Sequence, residues 1–296
     1  MSGGNLKEPT FPPELEREIL EFAAFGDPSR IPTLLLVCRR VHRWLEPLVY
    51  RVLRLDKLQI VEPLAHALKS KPPGFLGHAV KHALVTVSYT HWTTASAWET
   101  LSEILLLNPN IFELVIKKYT SYTSNSSLRR IPTGMHPKRL IVQFTRDSGC
   151  DADLTEPLFS CVSHLTLCQA SPAMSHETWD MWSHLATLPM LTHLCFTENI
   201  ARGVLHQVLT ECPNLLAVVI LWQINSPSVS KPRMDAFARS TLKTNADPRV
   251  VLVTIPRFYD DWERGAWSGD DLWFRVDDFI AGKRRGIISD STHVFE

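Results

Sequence analysis

The sequence predicts an α/β fold in which strand-like and helix-like segments alternate behind a separate helical module. Two observations carry this prediction. Short runs rich in Val, Ile and Leu, such as Leu216–Leu221, recur between segments with helical periodicity. Phrases that join a proline turn to a leucine, such as Cys212-Pro213-Asn214-Leu215, come just before several of these runs. The 45% hydrophobic and 21% charged residues are typical of a globular protein.

Eight strands are predicted, because each segment is short, apolar and rich in β-branched residues. They are Tyr50–Leu55, Ala83–Val87, Glu113–Lys117, Arg139–Phe144, His164–Cys168, Thr192–Thr197, Leu216–Leu221 and Arg249–Ile255. Helices are predicted between them at Val61–Ser70, Ala97–Leu107, Glu177–Leu185, Val204–Glu211, Met234–Thr244 and Asp270–Ala281. The alternation in the strands around His164 and Thr192 predicts one buried face for each.

The N-terminal segment opens with a predicted amphipathic helix. Pro12 and Pro13 suit a helix start, since proline lacks the N–H group that a first turn leaves unused. Gly26 is a plausible helix stop, and Asp27 or Ser29 can cap the next helix. One apolar stripe follows from the spacing of Leu15, Ile19, Phe22 and Ala23.

A second helical run follows, and Pro47 is expected to end it near Leu45. A second apolar stripe is formed by Leu34, Cys38, Val41 and Leu45, with Leu35, Leu36 and Val37 adding apolar surface around the cylinder. A helix that is apolar on more than one face is buried on more than one side. We therefore expect one side of this pair of helices to pack on the rest of the chain or on a partner.

Residues 11–55 resemble an F-box. The matching phrases are Phe11-Pro12-Pro13-Glu14-Leu15, Ile19, Val37-Cys38-Arg39 and Trp44, followed by Pro47-Leu48-Val49-Tyr50-Arg51 as in fungal members. The resemblance implies a three-helix module that docks a Skp-type adaptor, itself bound to a cullin scaffold. It implies docking through Pro13, Leu15, Ile19, Leu35, Val37, Cys38 and Trp44. The alternative is an ordinary helical hairpin that caps an α/β domain.

The segments after residue 50 resemble degenerate leucine-rich repeats. Their strand centres recur roughly every 24–34 residues, near the period of about 20–29 residues of that repeat. The resemblance implies a solenoid of stacked strand–helix units. The alternative is a doubly wound sheet, which is less favoured because that fold uses a Gly-rich strand-to-helix turn for a nucleotide. The loops after Val87 and Ile255 contain no such turn.

The predicted organisation has three parts. Residues 9–50 form the F-box-like helical module, residues 51–257 the leucine-rich-repeat-like α/β domain, and residues 258–296 a C-terminal cap and tail. The last part holds three of the nine Trp. Asp270 and Asp271 are placed to open its helix and Lys283–Arg285 to close it, as the helix dipole favours. A repeat solenoid needs a cap over its last unit.

No catalytic, cofactor or metal site is predicted. The acidic pairs at 260–261, 270–271 and 277–278 are neighbours in sequence, and neighbours on a helix do not face each other. His78 and His82 are interpreted as surface histidines, and the six Cys, none in a C-x-x-C pair, mostly as core residues of a protein in a reducing compartment. The balanced charge, with 31 basic and 31 acidic residues, gives no general attraction to nucleic acid or membrane.

The functional prediction is a non-enzymatic substrate receptor of a Skp–cullin–F-box ubiquitin ligase, located in the cytoplasm, the nucleus or both. Target binding is assigned to aromatic and basic residues at outward strand positions and in the loops after strands. They are Trp92, Tyr119, Arg146, Trp222, Arg257, Tyr259 and Trp262. The alternatives are an interaction scaffold that acts outside ubiquitination and, less favoured, an α/β enzyme without a recognisable motif.

Overall fold

The computed structural model shows an α/β protein with one parallel sheet. The structure describes residues 11–55, 58–87, 102–109, 111–118, 134–144, 154–169, 179–197, 200–223, 232, 234–242, 247–289 and 292–295.

Within these residues the sheet has nine parallel strands, which lie side by side in the order in which they occur in the chain. They are β1 (Val52–Leu55), β2 (His82–Val87), β3 (Glu113–Lys118), β4 (Arg139–Phe144), β5 (His164–Gln169), β6 (His193–Thr197), β7 (Ala217–Gln223), β8 (Val250–Ile255) and β9 (Val294–Phe295). The first eight confirm the predicted strands within one or two residues. The sequence analysis did not predict β9. The order contains no reversal, so this is not the doubly wound sheet considered above.

Ten α-helical segments occur within the described residues. They are α1 (Pro13–Gly26), α2 (Ile31–Leu34), α3 (Arg39–Val49), α4 (Val61–Ser70), α5 (Phe75–Ala79), α6 (102–106), α7 (Arg202–Glu211), α8 (234–237, continued by the π-helical Ala238–Leu242), α9 (Phe258–Ser268) and α10 (Leu272–Arg284). The predicted helix Glu177–Leu185 is represented by two 3-10 turns, Trp179–Met181 and Ser183–Thr187. The sequence analysis did not predict α9.

One face of the sheet, called here the first face, packs against the connecting segments. Its core joins alternate strand residues such as Leu114 and Leu194 to α4, α6 and α7, which contribute Leu64, Ile104 and Leu205. Each of these side chains is at most 4% exposed. Helices α4, α6 and α7, which belong to connections between neighbouring strands, therefore pack on the same side of the sheet.

The other face, called here the second face, is covered by α9 and α10. Strand residues from Leu84 to Val253 form one apolar cluster with Trp262 of α9 and with Trp273 and Val276 of α10. The strands are thus buried on both faces, and the prediction of one buried face for the strands around His164 and Thr192 is wrong. The C-terminal segment, predicted to cap the last unit, instead lies across the sheet.

The N-terminal helices differ from the prediction in two places. The second helical run is interrupted between α2 and α3, where Cys38 has an extended backbone with φ −164° and ψ 167°. Leu34 and Cys38 therefore do not share a helical stripe with Val41. Pro47 lies inside α3 and does not end the helix near Leu45. The predicted cap is confirmed, because the Asp27 carboxylate accepts a hydrogen bond from the backbone N–H of Ser29 at 3.2 Å.

Candidate protein-docking surface

The apolar stripe of α1 faces solvent. Ile19 is 56% exposed and Phe22 is 80% exposed, while Leu15 is 45% exposed on the same stripe. At the α2–α3 turn, Leu36 is 85% exposed and Val37 is 64% exposed. These five side chains are called here the docking surface. Large apolar side chains grouped on a surface mark sites of interaction with other proteins.

A different set of residues holds the three helices together. Ala24 of α1, Ile31 of α2, and Val41 and Leu45 of α3 are all buried in a small core of their own. Leu20 and Leu35 are partly buried against it, as is Trp267 of α9. Because this core uses the opposite side of α1, the module does not need the docking surface for its own folding.

Charged side chains join the helices of the module. An ion pair links Arg40 of α3 to Glu16 of α1, and the Arg40 guanidinium lies 5.2 Å from the centre of the Trp44 ring. Within α1, the Arg17 guanidinium contacts the Glu21 carboxylate at 2.7 Å, one turn further along. Exposed pairs of this kind contribute little to stability, about 0.3–0.5 kcal/mol each.

The seven residues predicted to dock an adaptor divide into two groups. Pro13, Leu15, Ile19, Val37 and Cys38 are exposed, while Leu35 and Trp44 are half-buried. The two most exposed apolar side chains, Phe22 and Leu36, were not among the seven. Phe22 belongs to the predicted stripe of α1, so the helical spacing gave the signal by which it could have been included.

The predicted target-binding residues do not form one surface. Trp92, Tyr119 and Arg146 lie outside the described residues. Trp222 is 2% exposed in the first-face core, where its ring packs against Phe237, and Trp262 is 5% exposed on the second face. Neither indole is available to a partner in this conformation. Tyr259 is half-buried against Phe258, and the Arg257 side chain is 85% exposed.

A row of polar residues lies across the second face at the amino ends of five strands. The parallel register pairs His82 with Glu113, Glu113 with Arg139, Arg139 with His164, and His164 with His193. We call these five residues the polar row. His82 Nδ1 lies 3.0 Å from a Glu113 carboxylate oxygen, and both side chains are buried. His82 is therefore not the surface histidine that the sequence analysis predicted.

Helix α10 is held to the polar row by ionic and aromatic contacts. Asp271, the N-cap of α10, accepts a hydrogen bond from the backbone N–H of Phe274 and forms an ion pair with Arg139. Further along the helix, an Asp277 carboxylate oxygen lies 2.9 Å from Nε2 of His193. The capping role of Asp271 agrees with the predicted helix start.

Two histidines of the polar row are stacked under Trp273. The rings of His164 and His193 are parallel with centroids 4.1 Å apart, and Trp273 meets both edge-on. Burial, followed by the neighbouring His193 and Arg139, lowers the pKa of His164 from 6.5 to about 2. His164 therefore stays neutral in the folded protein, because a charge on its ring would be desolvated and would face another cation.

The sequence analysis missed the polar row because its members are far apart in the chain and come together only through the strand register. The signal for a covered second face was present in Ala217–Gln223, a nearly continuous apolar run. Such runs are typical of parallel strands buried on both sides.

The described residues do not offer a metal site, since no group of three or more His, Cys, Asp or Glu side chains is placed to hold an ion. Cys168, Cys195 and Cys212 are buried, as predicted for core thiols, but Cys38 and Cys161 are exposed. Burial raises the pKa of the Cys195 thiol well above its ordinary value and that of Cys212 to about 11. Within the described ranges, no helix combines the length and apolar character needed to cross a membrane.

Comparison with known proteins adds no assignment: the chain matches no model of a protein family and no curated protein sequence at a significant level.

Proposed function

We propose that this protein is an F-box substrate receptor, a non-catalytic subunit of a Skp–cullin–F-box ubiquitin ligase. The observation that carries the proposal is the docking surface. An apolar stripe occurs within the segment that resembles an F-box, and it faces solvent although the three helices already have a core of their own. A solvated stripe of this kind suits the recognition of an apolar groove or helix on a partner.

The arrangement of the module supports the same proposal. The F-box-like phrases fall on α1, on the turn before α3 and on α3, within a module of three α-helices, the number that the resemblance implies. Pro13 begins α1, and Trp44 lies in the middle of α3. Five of the seven residues that the resemblance assigns to adaptor docking are exposed. An ordinary capping hairpin would turn its apolar stripe towards the sheet, whereas α1 directs Leu20 and Ala24 inward and leaves Ile19 outside.

The sheet supports a repeat-like substrate domain. Parallel strands in chain order, with the connecting helices α4, α6 and α7 on one face, are what stacked strand–helix units produce. Repeat solenoids use their open strand face as a binding surface. In this chain α9 and α10 fill that face, so we assign target recognition to the exposed side of these two helices, where Arg257 and Phe274 lie.

The proposed mechanism is tethering. The module binds the adaptor, the substrate domain binds a target, and the target is thereby held near the ubiquitin-loaded enzyme at high effective concentration. This role requires no bond chemistry in the chain itself.

The test is capture of a purified Skp-type adaptor by the full chain. The variant Leu15→Asp with Ile19→Asp places two charges on the docking surface and leaves the core of the module untouched. We expect it to lose at least 90% of the captured adaptor. Leu35 is a poorer choice, because it is half-buried against that core and a charge there would also disturb folding.

The matched control is Met190→Asp, which introduces a charge at a residue that is 56% exposed in the turn before β6. It should capture as much adaptor as the unaltered chain. Equal capture by the double variant and by this control would refute the docking assignment. Capture of the adaptor without a cullin would instead indicate a role outside ubiquitination.

A further inference from the structure

A cleft of about 710 Å³ lies where the N-terminal module, the amino ends of the first strands and the turn between α9 and α10 meet. Its apolar walls are the rings of Phe25 from α1, Phe112 before β3 and Trp267 from α9. Its basic groups are Arg51, Lys81 and Arg139. The volume falls within the range of about 300–1,000 Å³ that is usual for small-molecule sites.

Positive charge in this cleft exceeds negative charge. Arg139 is paired with Asp271, the one acidic residue among the described residues that line the cleft, and His82 is engaged by Glu113. Arg51 forms no ion pair with a described carboxylate, and Lys81 is exposed at the cleft. The cleft therefore holds two cationic side chains, Arg51 and Lys81, whose charges are not compensated by the other lining residues that the structure describes.

Arg51 is the unusual member of this set. Its Nε is buried and makes no hydrogen bond to the residues that the structure describes, and burial lowers the pKa of its guanidinium. The guanidinium lies 5.1 Å from the centre of the Phe25 ring. A buried donor without an acceptor is unfavourable. A guanidinium fork matches the oxygens of a carboxylate or phosphate in a bidentate arrangement.

The aromatic walls specify the rest of the ligand. Phe25 and Trp267 have ring centroids 6.5 Å apart at an interplanar angle of 51°, and the Arg139 guanidinium covers Phe112 at 5.0 Å. Flat apolar groups pack well against such rings. We propose that this cleft binds a small organic anion, in which a carboxylate or phosphate contacts Arg51 and a flat apolar body packs against the aromatic walls. Phe22 of the docking surface also lines the cleft, but the proposed site does not rest on the proposed role in ubiquitination.

The experiment is calorimetric titration of the full chain with 2-naphthoate, 2-naphthyl phosphate and the neutral 2-naphthalenemethanol. We expect at least one anion to bind saturably and the neutral compound to bind at least tenfold more weakly. A comparison of the two anions identifies which oxyanion the cleft prefers. Equal binding of the neutral compound, or no saturable heat from either anion at millimolar concentration, would overturn the proposal.

Variants locate the bound anion. Arg51→Met should weaken binding of the preferred anion at least tenfold, and Lys81→Met should weaken it about threefold, since Lys81 is the more solvated cation. The control Arg284→Met removes an exposed cation at the end of α10 and should leave binding unchanged. If Arg51→Met does not fold, Lys81→Met and the neutral compound still decide the question. Equal binding by the Lys81 and Arg284 variants, together with no preference for the anions, would refute the site.

Discussion

The first and last helical segments of this chain both carry an apolar stripe, but the two stripes have opposite surroundings. On α1, Ile19 and Phe22 face solvent. On α9 and α10, Trp262 and Trp273 are buried against the second face of the sheet. The comparison teaches that helical periodicity identifies a surface able to be buried, while the partner of that surface depends on the path of the chain. Where the chain provides no partner, another protein can.

The largest expected effect tests the buried side of this comparison. Trp273→Ala removes an indole that is 3% exposed and packs on His164 and His193. Truncating a buried aromatic should lower the free energy of unfolding by about 3–5 kcal/mol. Chemical denaturation measures this, with Phe274→Ala as the control. Phe274 is 60% exposed on the same helix, and a similar loss there would show that the two sides of α10 do not differ as described.

The second prediction concerns the turn between α9 and α10. A Cβ atom added at Gly265 would lie 2.5 Å from Cβ and 2.7 Å from Cα of Asp271, so that Gly265→Ala forces the helices apart. We expect a loss of about 1–3 kcal/mol in the free energy of unfolding. Gly203 in α7 has no atom within 4 Å of the same position, and Gly203→Ala should instead stabilise by about 0.4–1 kcal/mol. Stabilisation by both variants would contradict the close packing of the turn.

The third prediction is a pH dependence that arises at the polar row. The pKa of His164 is about 2 in the folded protein and 6.5 ordinarily. Between these two values the unfolded chain binds a proton at this residue and the folded protein does not. Stability is therefore full above pH 6.5 and falls below it, by about 1.4 kcal/mol between pH 7.5 and 5.5 from this residue.

Denaturation at the two pH values measures the difference, and His164→Gln should reduce it. His293, whose pKa burial also lowers, contributes in the same direction and remains in the variant. The control is His184→Gln, which alters an exposed histidine and should keep the full dependence. An identical pH dependence in both variants would contradict the assignment to His164.

The smallest expected effect tests the exposed side of the comparison. Ile19→Asp should change the free energy of unfolding by no more than about 0.5 kcal/mol, because its side chain is 56% exposed and outside the core of the module. Leu45→Ala, in that core, should cost about 2–5 kcal/mol. Denaturation of the two variants gives the comparison. A large loss for Ile19→Asp would mean that the stripe is covered by the chain itself.

Much of the sheet could be predicted from the sequence because the residues that favour a strand lie within the strand itself and in the turns beside it. Segments such as Arg139–Phe144 combine β-branched residues with flanking turns, and the structure has a strand with the same bounds. The local sequence does not indicate which side chains of different strands and helices come into contact. The contact between Asp271 and Arg139 joins residues 132 positions apart, and it depends on the whole intervening fold.

Local sequence spacing also predicted part of the candidate site, the apolar stripe, but not its orientation. The spacing of Leu15 and Ile19 identified a stripe on α1, but it did not say which side of the helix would meet the core. Helix α9 was missed because Asp260, Asp261 and Glu263 surround its aromatic residues with charge. In the structure Asp261 is paired with Arg275 of α10, a compensation that only the folded arrangement supplies.

The position of α10 also has a consequence for the order of events during synthesis. Its contacts run from Arg139 at the start of β4 to Pro248 before β8, so they join residues that a ribosome produces earlier to a helix that it produces later. Chains grow at about 5–20 residues per second, and N-terminal parts generally begin to fold first. Until α10 emerges, the part of the second face that packs against Trp273 and Val276 remains an uncovered apolar surface on the nascent chain. A chain that is shortened before Leu272 would keep that surface exposed and become a substrate for chaperones or proteases.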